Sequence, residues 1–402
     1  MGARIKAIDA LRGLAIIGMV LAGSIGWNSG LPAWMFHCQT PPPDYAFHPE
    51  VRGITWVDLV FPFFLFAMGA ALPLAMRSRI SRGEKTGKLI AGQIKRWLTL
   101  VLFGFAIGNA YRVNGSEVGG EIVRGLFMPA MWAGFFASLV RYRSKWINYL
   151  GYALVAGLLA VQWLVFGQVP GFAYADVIIM ILASASLAGA LLWLLSAGNP
   201  RTRLLILFFV VALKAVSSYT GLLEPLAIHG AASYIFNWGH LQYLVIVLGA
   251  TFAGDYLYDW AHSPKQEAKV NFWQQLIAVL TVILQLWALL GRHIAIDVVL
   301  TLSLACAYVG LGHRKQGPWT ALGLSGYAIL IAGIMFDIAD GGIAKDFCNL
   351  SYLLVTCGLG FIVTSVFFAM ENAGKALGAL VLCGQNPMIA YTVSSFVLVP
   401  IF

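Results

Sequence analysis

Two ionisable side chains stand out in this sequence because they flank the start of a long apolar segment. His48 lies five residues before Gly53, and Asp58 follows in the run Gly-Ile-Thr-Trp-Val-Asp-Leu-Val-Phe-Pro. A histidine titrates near neutrality and can act as a general base or nucleophile, although a lone loop histidine is often simply solvated. A carboxylate at the start of an apolar helix is costly and marks a functional or helix-pairing site. We therefore single out His48 and Asp58 as candidate catalytic residues.

The segment before this motif, residues 27–53, is the richest in polar and aromatic side chains. Its rings could stack on sugar rings, and its two carboxylates, Asp44 and Glu50, could hold a cationic amine. The alternative is an aromatic belt at a membrane interface with a proline-rich surface loop. With polar residues from later in the chain, the candidate substrate-binding set is Trp27, Asn28, Asp44, Tyr45, Glu50, His240 and Asn386.

The elements that must position these residues are apolar helices. The chain has 402 residues, of which 60% are hydrophobic and 11% charged, whereas soluble domains carry about 25% charged residues. A spanning helix needs roughly 20 apolar residues. The pattern predicts an all-α polytopic transmembrane bundle of 11 to 13 spans, forming one integral membrane domain over 1–402. The predicted spans lie near 8–26, 54–76, 96–111, 122–140, 146–166, 174–195, 203–218, 239–258, 271–291, 294–312, 319–337, 349–370 and 376–400.

Basic residues concentrate in every second break between these spans. The positive-inside rule then predicts a cytoplasmic N-terminus and a periplasmic 27–53 loop, in a multi-pass protein of a bacterial inner membrane. Arginine and lysine are also the usual phosphate ligands, so the basic loop 77–96 could bind a nucleotide-like cofactor. Topology alone is the other explanation of that loop. Its candidate cofactor-binding residues are Arg77, Arg79, Arg82, Lys85 and Arg96.

Several function classes find no support in the sequence. The net charge of +9 lies in short loops, which argues against nucleic acid as a partner. There is no P-loop, dinucleotide fingerprint, H-E-x-x-H or G-x-S-x-G motif. The five cysteines show no metal-type spacing and are expected to pack without disulfides. The first apolar run is too long for a cleavable signal peptide and is expected to remain as a span.

The N-terminal quarter carries a more specific pattern. Asp9-Ala-Leu-Arg-Gly13 is followed by His48 and then by Gly53-Ile-Thr55-Trp-Val-Asp58-Leu-Val-Phe-Pro62. This arrangement resembles the heparan-α-glucosaminide N-acetyltransferase family, whose bacterial members include NagX-like proteins. The segment Gly384-Gln-Asn-Pro-Met-Ile-Ala-Tyr391 is similar to a second, weaker family pattern. The two matches cover about a fifth of the chain by eye.

The chain departs from the family in three places. Gly23 and Ser24 stand where the family has an asparagine at the end of the first span. The family's Asp-Pro-Glu-Gly segment is not evident in the middle of the chain. The span count exceeds the ten or so of the bacterial members.

The resemblance implies transfer of an acetyl group from cytoplasmic acetyl-CoA to the amine of glucosamine, or of a terminal glucosamine residue, on the far side of the membrane. Under it, His48 is the catalytic residue, as general base or acetyl carrier, and Asp58 orients the imidazole or holds the ammonium. It implies acetyl-CoA as co-substrate, no metal, and a homodimer as a possible assembly.

Two other functions remain open on the residues. An amino-sugar transporter would also have many spans, aromatic loops and glycine-rich helices, with His48 and Asp58 as substrate ligands or a proton relay. An O-acyltransferase of envelope glycans would use the same donor on a different acceptor. A scaffold without activity would leave the costly Asp58 without purpose.

Overall fold

The computed structural model describes residues 4–27, 29–114, 120–139, 144–221, 233–263, 269–312, 317–346, 348–375 and 377–398. These residues form helices and connecting loops, and no strand occurs among them. Eleven helices within the described part are long and apolar enough to cross a membrane, which confirms the predicted polytopic helical bundle. The helices are α1 Lys6–Ser24, α2 Trp56–Ile80, α3 Thr86–Asn114, α4 Gly120–Leu139, α5 Lys145–Leu164, α6 Val177–Leu195, α7 Pro200–Thr220, α8 Trp238–Leu241, α9 Leu244–His262, α10 Phe272–Leu290, α11 Ile294–Gly312, α12 Pro318–Ala339, α13 Leu350–Asn372, α14 Gly378–Gln385 and α15 Pro387–Val393.

The last predicted span, 376–400, is wrong as a continuous helix. It consists of α14 and α15 with a break at Asn386, followed by a π-helical turn over Ser394–Leu398. Proline disfavours helical geometry in the residue before it and has no N–H of its own to donate. Pro387 therefore explains the break, and Asn386 has non-helical backbone angles of φ −121° and ψ 54°.

The described helices cluster into two compact units, each assembled from separate stretches of the chain. The first comprises Met1–Leu89, Gly189–Glu224 and Gln242–Pro387, and the second comprises Ile90–Ala188, Pro225–Leu241 and Met388–Phe402. The expectation of a single integral membrane domain stays a prediction.

Close backbone approach holds the first unit together. A β-carbon added at Gly254 on α9 would lie 2.1 Å from the carbonyl oxygen of Ala70 on α2, and one added at Gly384 on α14 would lie 1.8 Å from that of Asp9 on α1. Helices in lipid gain most of their association from such van der Waals contact, which small residues permit. These glycines therefore fix α2, the helix that carries the motif, against α9, and α1 against α14.

The start of α1 is tied down by charge. The Glu371 carboxylate at the end of α13 accepts from the backbone N–H groups of Lys6 and Ala7 at 3.0 and 2.9 Å. Asp9 pairs with Arg4 at 2.6 Å and with Arg12 at 3.5 Å. Carboxylates near a helix N-terminus are stabilised by its unpaired N–H groups and its dipole. This end of α1 is a structural anchor.

The second unit has a core of aromatic and aliphatic side chains from α3, α4 and α6. Phe103 and Phe135 lie with ring centroids 4.4 Å apart, and Trp132 lies 4.6 Å from Phe136. The Asn109 side-chain amide donates to the carbonyl of Gly171 at 3.2 Å, which fastens α3 to the loop before α6.

Candidate functional site

Asp58 is a buried carboxylate of the first unit that is held by hydrogen bonds. It begins α2 as the third helical residue, where it forms a capping box with Thr55. Its Oδ2 accepts from the backbone N–H of Thr55 at 3.0 Å and from the N–H of Cys38 at 3.1 Å, while the Thr55 hydroxyl donates its proton to the Phe36 carbonyl at 2.7 Å. Asp58 is only 1% exposed. The two backbone donors stabilise the ionised carboxylate, because a buried charge is tolerated only when its hydrogen bonds are satisfied.

The other Asp58 oxygen faces a histidine, but that histidine is His37. Its Nδ1 lies 2.7 Å from Asp58 Oδ1, whereas both ring nitrogens of His48 contact other carboxylates. The structure thus places His37, rather than His48, against Asp58, and the catalytic roles expected of His48 and Asp58 stay predictions. Sequence spacing pointed to His48, and the loop fold brings His37 to the carboxylate instead.

The contact fixes how the His37 ring carries its proton. An ionised carboxylate only accepts, so Nδ1 of His37 is the donor in this 2.7 Å contact, and the Lys345 ammonium 3.2 Å away, itself only a donor, then makes no hydrogen bond to that nitrogen. Nε2 then carries a lone pair, and no described residue is bonded to it. A carboxylate behind one nitrogen and a free lone pair on the other is the arrangement by which an imidazole accepts a proton. The His37 side chain is 38% exposed, so a small molecule can reach it.

A second loop, residues 340–349, contacts this pair although it lies far later in the sequence. Nζ of Lys345 lies 3.2 Å from His37 Nδ1 and 4.0 Å from Asp58 Oδ1. The backbone N–H of Asp346 donates to the Gln39 side chain at 3.0 Å, and the Tyr352 hydroxyl donates to the carbonyl oxygen of Asp58 at 2.7 Å. The 340–349 loop and the first turn of α13 therefore pack against the His37–Asp58 pair and its neighbour Gln39.

An ion pair outside the site holds that second loop in place. Arg292, in the short turn after α10, binds Asp337 through both carboxylate oxygens at 2.7 and 2.8 Å. Asp337 also accepts from the N–H of Ile343 at 2.6 Å, and the Ile343 carbonyl accepts from the N–H of Gly53 at 2.8 Å. Bidentate arginine pairs are strong and directional. This chain of contacts joins the 340–349 loop to the 27–53 loop.

His48 sits in a different environment on the same loop. Its Nε2 lies 2.9 Å from Asp44 Oδ2 and its Nδ1 lies 3.1 Å from Glu50 Oε1. The hydrogen bond to Asp44, and then that to Glu50, raise the pKa of His48 above its ordinary value. With an acceptor on each nitrogen, the ring is stabilised as an imidazolium. The His48 backbone N–H donates to the Gln39 carbonyl at 2.8 Å, which places it beside a residue two positions from His37.

The predicted amine ligands, Asp44 and Glu50, are thus already paired with His48. The pKa of Asp44 is lowered, first by its hydrogen bond to His48. A cationic substrate would have to compete with the imidazolium for these two carboxylates.

The predicted aromatic ligands form a cluster beside His37. Trp27 stacks on Phe36 with centroids 6.2 Å apart, and Tyr45 lies edge-on to Phe36 at 5.0 Å. Phe36 is the residue before His37, and the Trp27 ring is 61% exposed. Asn28 lies outside the described residues. The thiol of Cys38 is not a candidate nucleophile, because burial raises its pKa to about 12.

Two other predicted substrate ligands lie elsewhere. His240 belongs to the second unit and is buried, with Nδ1 3.3 Å from the carbonyl oxygen of Ile235 and 3.4 Å from the Ser184 hydroxyl. Asn386 is exposed in the first unit, and its side chain donates to the Leu382 carbonyl at 3.2 Å. Neither contacts the 27–53 loop in the described hydrogen bonds.

Two of the predicted phosphate ligands, Arg77 and Arg79, form ion pairs within the protein. Arg77 binds Asp255 at 3.2 Å and Asp259 at 2.6 Å, and Arg79 binds Glu84 at 2.7 Å. Their charges are already neutralised within the protein. The remaining members, Arg82, Lys85 and Arg96, are exposed.

The same first unit contains a cavity of about 670 Å³ among α7, α9, α12 and α13. Phe208, Phe252 and Phe361 are among its walls, and no charged side chain lines it. Its lining includes the hydroxyls of Tyr256 and Ser325 but no cation to neutralise a phosphate. Among the described residues, no group of three or more histidine, cysteine, aspartate and glutamate side chains could hold a metal ion, and the expectation of a metal-free site stays a prediction.

Comparison with known proteins gives a partial relation to an enzyme. The chain is 33% identical over 106 residues to heparan-alpha-glucosaminide N-acetyltransferase of Mus musculus and 32% identical over 106 residues to that of Homo sapiens. Each match covers 26% of this chain and 14% of the relative. The partial homology supports a related membrane-embedded transferase.

A family model gives the broader assignment. It is described as a domain of unknown function, DUF5009, and it matches residues 4–257. That range includes α1, α2, the 27–53 loop and the basic loop 77–96, and it covers more than half of the chain. The chain belongs to the DUF5009 family.

Proposed function

We propose that this multi-pass membrane protein transfers an acetyl group from acetyl-CoA to the amine of glucosamine, or of a sugar chain that ends in glucosamine. The observation that carries the proposal is the His37 imidazole held 2.7 Å from the buried Asp58 carboxylate at the start of the motif helix. An amine at neutral pH is mostly protonated, and it attacks a thioester only after losing a proton. An oriented imidazole next to an aromatic cluster with an exposed Trp27 meets both needs, proton removal and sugar stacking.

The partial homology to an N-acetyltransferase supports acetyl transfer in general, and the motif around Asp58 supports the 27–53 loop as the place of the reaction. Asp58 belongs to the pattern shared with the named family, and His48 is the histidine of that pattern. Trp27 and Tyr45 are the proposed sugar platform. The acceptor is proposed to reach the site from the periplasmic side of a bacterial inner membrane, as the distribution of basic loops predicts.

The binding site of the donor is a separate part of the proposal. The motif loop precedes α2, and the basic residues Arg82 and Lys85 follow it. Helix α2 has 25 residues, about 37 Å at 1.5 Å per residue. The pantetheine arm of CoA resembles an extended chain of about five residues, about 17 Å long. Direct transfer at the loop therefore requires phosphate ligands closer to it than Arg82, or a movement that shortens this path.

The test is acetyl transfer from labelled acetyl-CoA to glucosamine by the purified protein in detergent, with His48→Ala and Asp58→Asn beside the wild type. An alkali-stable labelled product identifies an amide, and an alkali-labile one identifies an ester and the O-acyltransferase. Transfer that disappears in both variants supports the proposal. A wild type that carries labelled glucosamine into proteoliposomes without CoA, and transfers no acetyl group, would replace it with the transporter.

Donor binding is tested independently. Arg82→Gln combined with Lys85→Gln is expected to weaken CoA binding if these residues hold the phosphates, while glucosamine binding stays the same. Lys145→Gln, in another predicted cytoplasmic loop, is the matched control for loss of a surface charge. Unchanged CoA affinity would remove the 77–96 loop from the proposal.

A further inference from the structure

We infer that the two histidines of the 27–53 loop divide the proton transfers of the proposed acetyl transfer, with His37 as the general base and His48 as the general acid. This inference rests on the proposed function and names a residue, His37, that the shared motif does not contain. It is carried by the contrast between the two imidazole environments on one loop.

The His37 environment suits a base. Asp58 of α2 accepts a hydrogen bond from Nδ1 of His37, and Lys345 of the 340–349 loop lies within 4.0 Å of the same carboxylate. The carboxylate holds Nδ1 of the ring, which leaves Nε2 as the nitrogen that can accept the substrate's proton. Asp58 and Lys345 act as positioning residues.

The His48 environment suits an acid. Asp44 and Glu50 face its two ring nitrogens at 2.9 and 3.1 Å, and each favours the protonated ring. Both carboxylates come from the same loop and are themselves exposed, so one can turn away into water and uncover an N–H. The two rings differ in geometry: His37 contacts one carboxylate and leaves Nε2 open, whereas His48 has a carboxylate at each ring nitrogen.

The reaction requires both roles, as its atom balance shows. The substrate ammonium gives one proton to Nε2 of His37, and the freed lone pair forms the N–C bond at the thioester carbonyl. The C–S bond then breaks, its electron pair leaves on sulfur, and the thiolate takes the proton of His48. The new amide nitrogen returns its surplus proton to His48, and His37 releases its proton to water. The products are the acetamide, the CoA thiol and one proton.

The two histidines belong to one loop whose halves are joined by a backbone hydrogen bond. The backbone bond from His48 to Gln39 joins the two halves of the loop two residues from His37. The N–H of Cys38, between them, is bound to Asp58. The loop that carries both histidines is thus fastened to the motif carboxylate at the start of α2.

The experiment compares two acetyl donors. Acetyl-CoA has a leaving thiolate that benefits from protonation, whereas S-(4-nitrophenyl) thioacetate releases a weakly basic thiolate that does not. His48→Gln is expected to lose about 100-fold or more with acetyl-CoA and to stay within tenfold of wild type with the activated donor. His37→Gln is expected to lose about 100-fold or more with both donors at neutral pH. That loss should shrink as the pH rises through the pKa of the amine, which then needs no base.

The controls separate the inference from the proposed function. His262→Gln, at the end of α9, leaves both histidines of the loop intact and is expected to match wild type. Thermal unfolding of each variant in detergent excludes a folding defect. Full activity of His37→Gln at neutral pH, or equal losses with both donors for His48→Gln, would overturn the assignment while leaving acetyl transfer intact. A wild type inactive with both donors would instead overturn the proposed function.

Discussion

Replacing Asp58 with asparagine removes one charge and keeps the shape of the side chain. In the wild type, one oxygen accepts from Cys38 and Thr55 and the other accepts from His37. The asparagine carbonyl will keep the backbone donors, so its NH₂ group must face Nδ1 of His37. A donor there cannot accept the Nδ1 proton, so the ring has to take the tautomer with its proton on Nε2. The lone pair needed for proton removal is then lost.

The expected magnitudes follow from these contacts. A hydrogen bond to a charged acceptor contributes about 1 kcal/mol more than one to a neutral acceptor, and the two backbone bonds to Oδ2 weaken. Asp58→Asn should therefore destabilise the protein by about 2 kcal/mol. Activity should fall further than stability predicts, because the wrong tautomer behind a catalytic imidazole costs up to about 10⁴-fold in kcat.

The assay is labelled acetyl transfer together with thermal unfolding, each measured with Asp44→Asn as the matched control. The control makes the same chemical change at an exposed carboxylate that also contacts a histidine. It should leave the unfolding temperature close to that of wild type. The reasoning is refuted if Asp58→Asn is destabilised as expected and still transfers acetyl groups at the wild-type rate.

Asp297→Asn should change the free energy of unfolding by less than about 1 kcal/mol, because the fully buried Asp297 has one carboxylate oxygen without a partner and takes part in no ion pair among the described residues. Asp337→Asn should cost about 3 kcal/mol, because its arginine partner loses a bidentate carboxylate; equal effects of the two variants in thermal unfolding would contradict the difference expected between them. Asp44→Asn should lower the pKa of His48 in an imidazole NMR titration, since the hydrogen bond to Asp44 contributes most to raising that pKa. In the wild type, the ion pairs of the protonated His48 ring with Asp44 and Glu50 should be lost as the pH rises through that pKa. Gly384→Ala should destabilise the protein by about 1 to 3 kcal/mol, because the added carbon meets a main-chain oxygen of α1 at 1.8 Å; an unchanged unfolding temperature would show that α14 can move away.

The site shows where sequence reasoning reached its limit. The spacing from His48 to Asp58 located the loop and the motif helix correctly. It did not identify His37 as the partner of Asp58, although His37 lies in the same polar segment. A loop of this length folds back on itself, so the histidine nearer to Asp58 in the sequence need not be the nearer one in space. Only the tertiary structure paired the carboxylate with one histidine.

For the basic loop 77–96, the sequence likewise could not predict which charged side chains are paired. Arg77 was a candidate phosphate ligand because of its place in a basic run, but the structure pairs it with Asp255 and Asp259. These acids lie near the end of a helix almost 180 residues later. Nothing in the local composition of either segment indicates that they meet.

The sequence by itself determined the fold class. An uncharged apolar segment of about 20 residues is long enough to cross a bilayer as a helix, and both its length and its lack of charge can be counted along the chain. It also contained the signal for the broken final helix, Pro387, which hydrophobicity alone concealed. The tertiary structure alone decided the protonation environments of His37 and His48. Those depend on which charged groups come within a few ångströms, and Lys345 reaches His37 from 308 residues away. Electrostatic contact acts through space, so only the folded chain can define it.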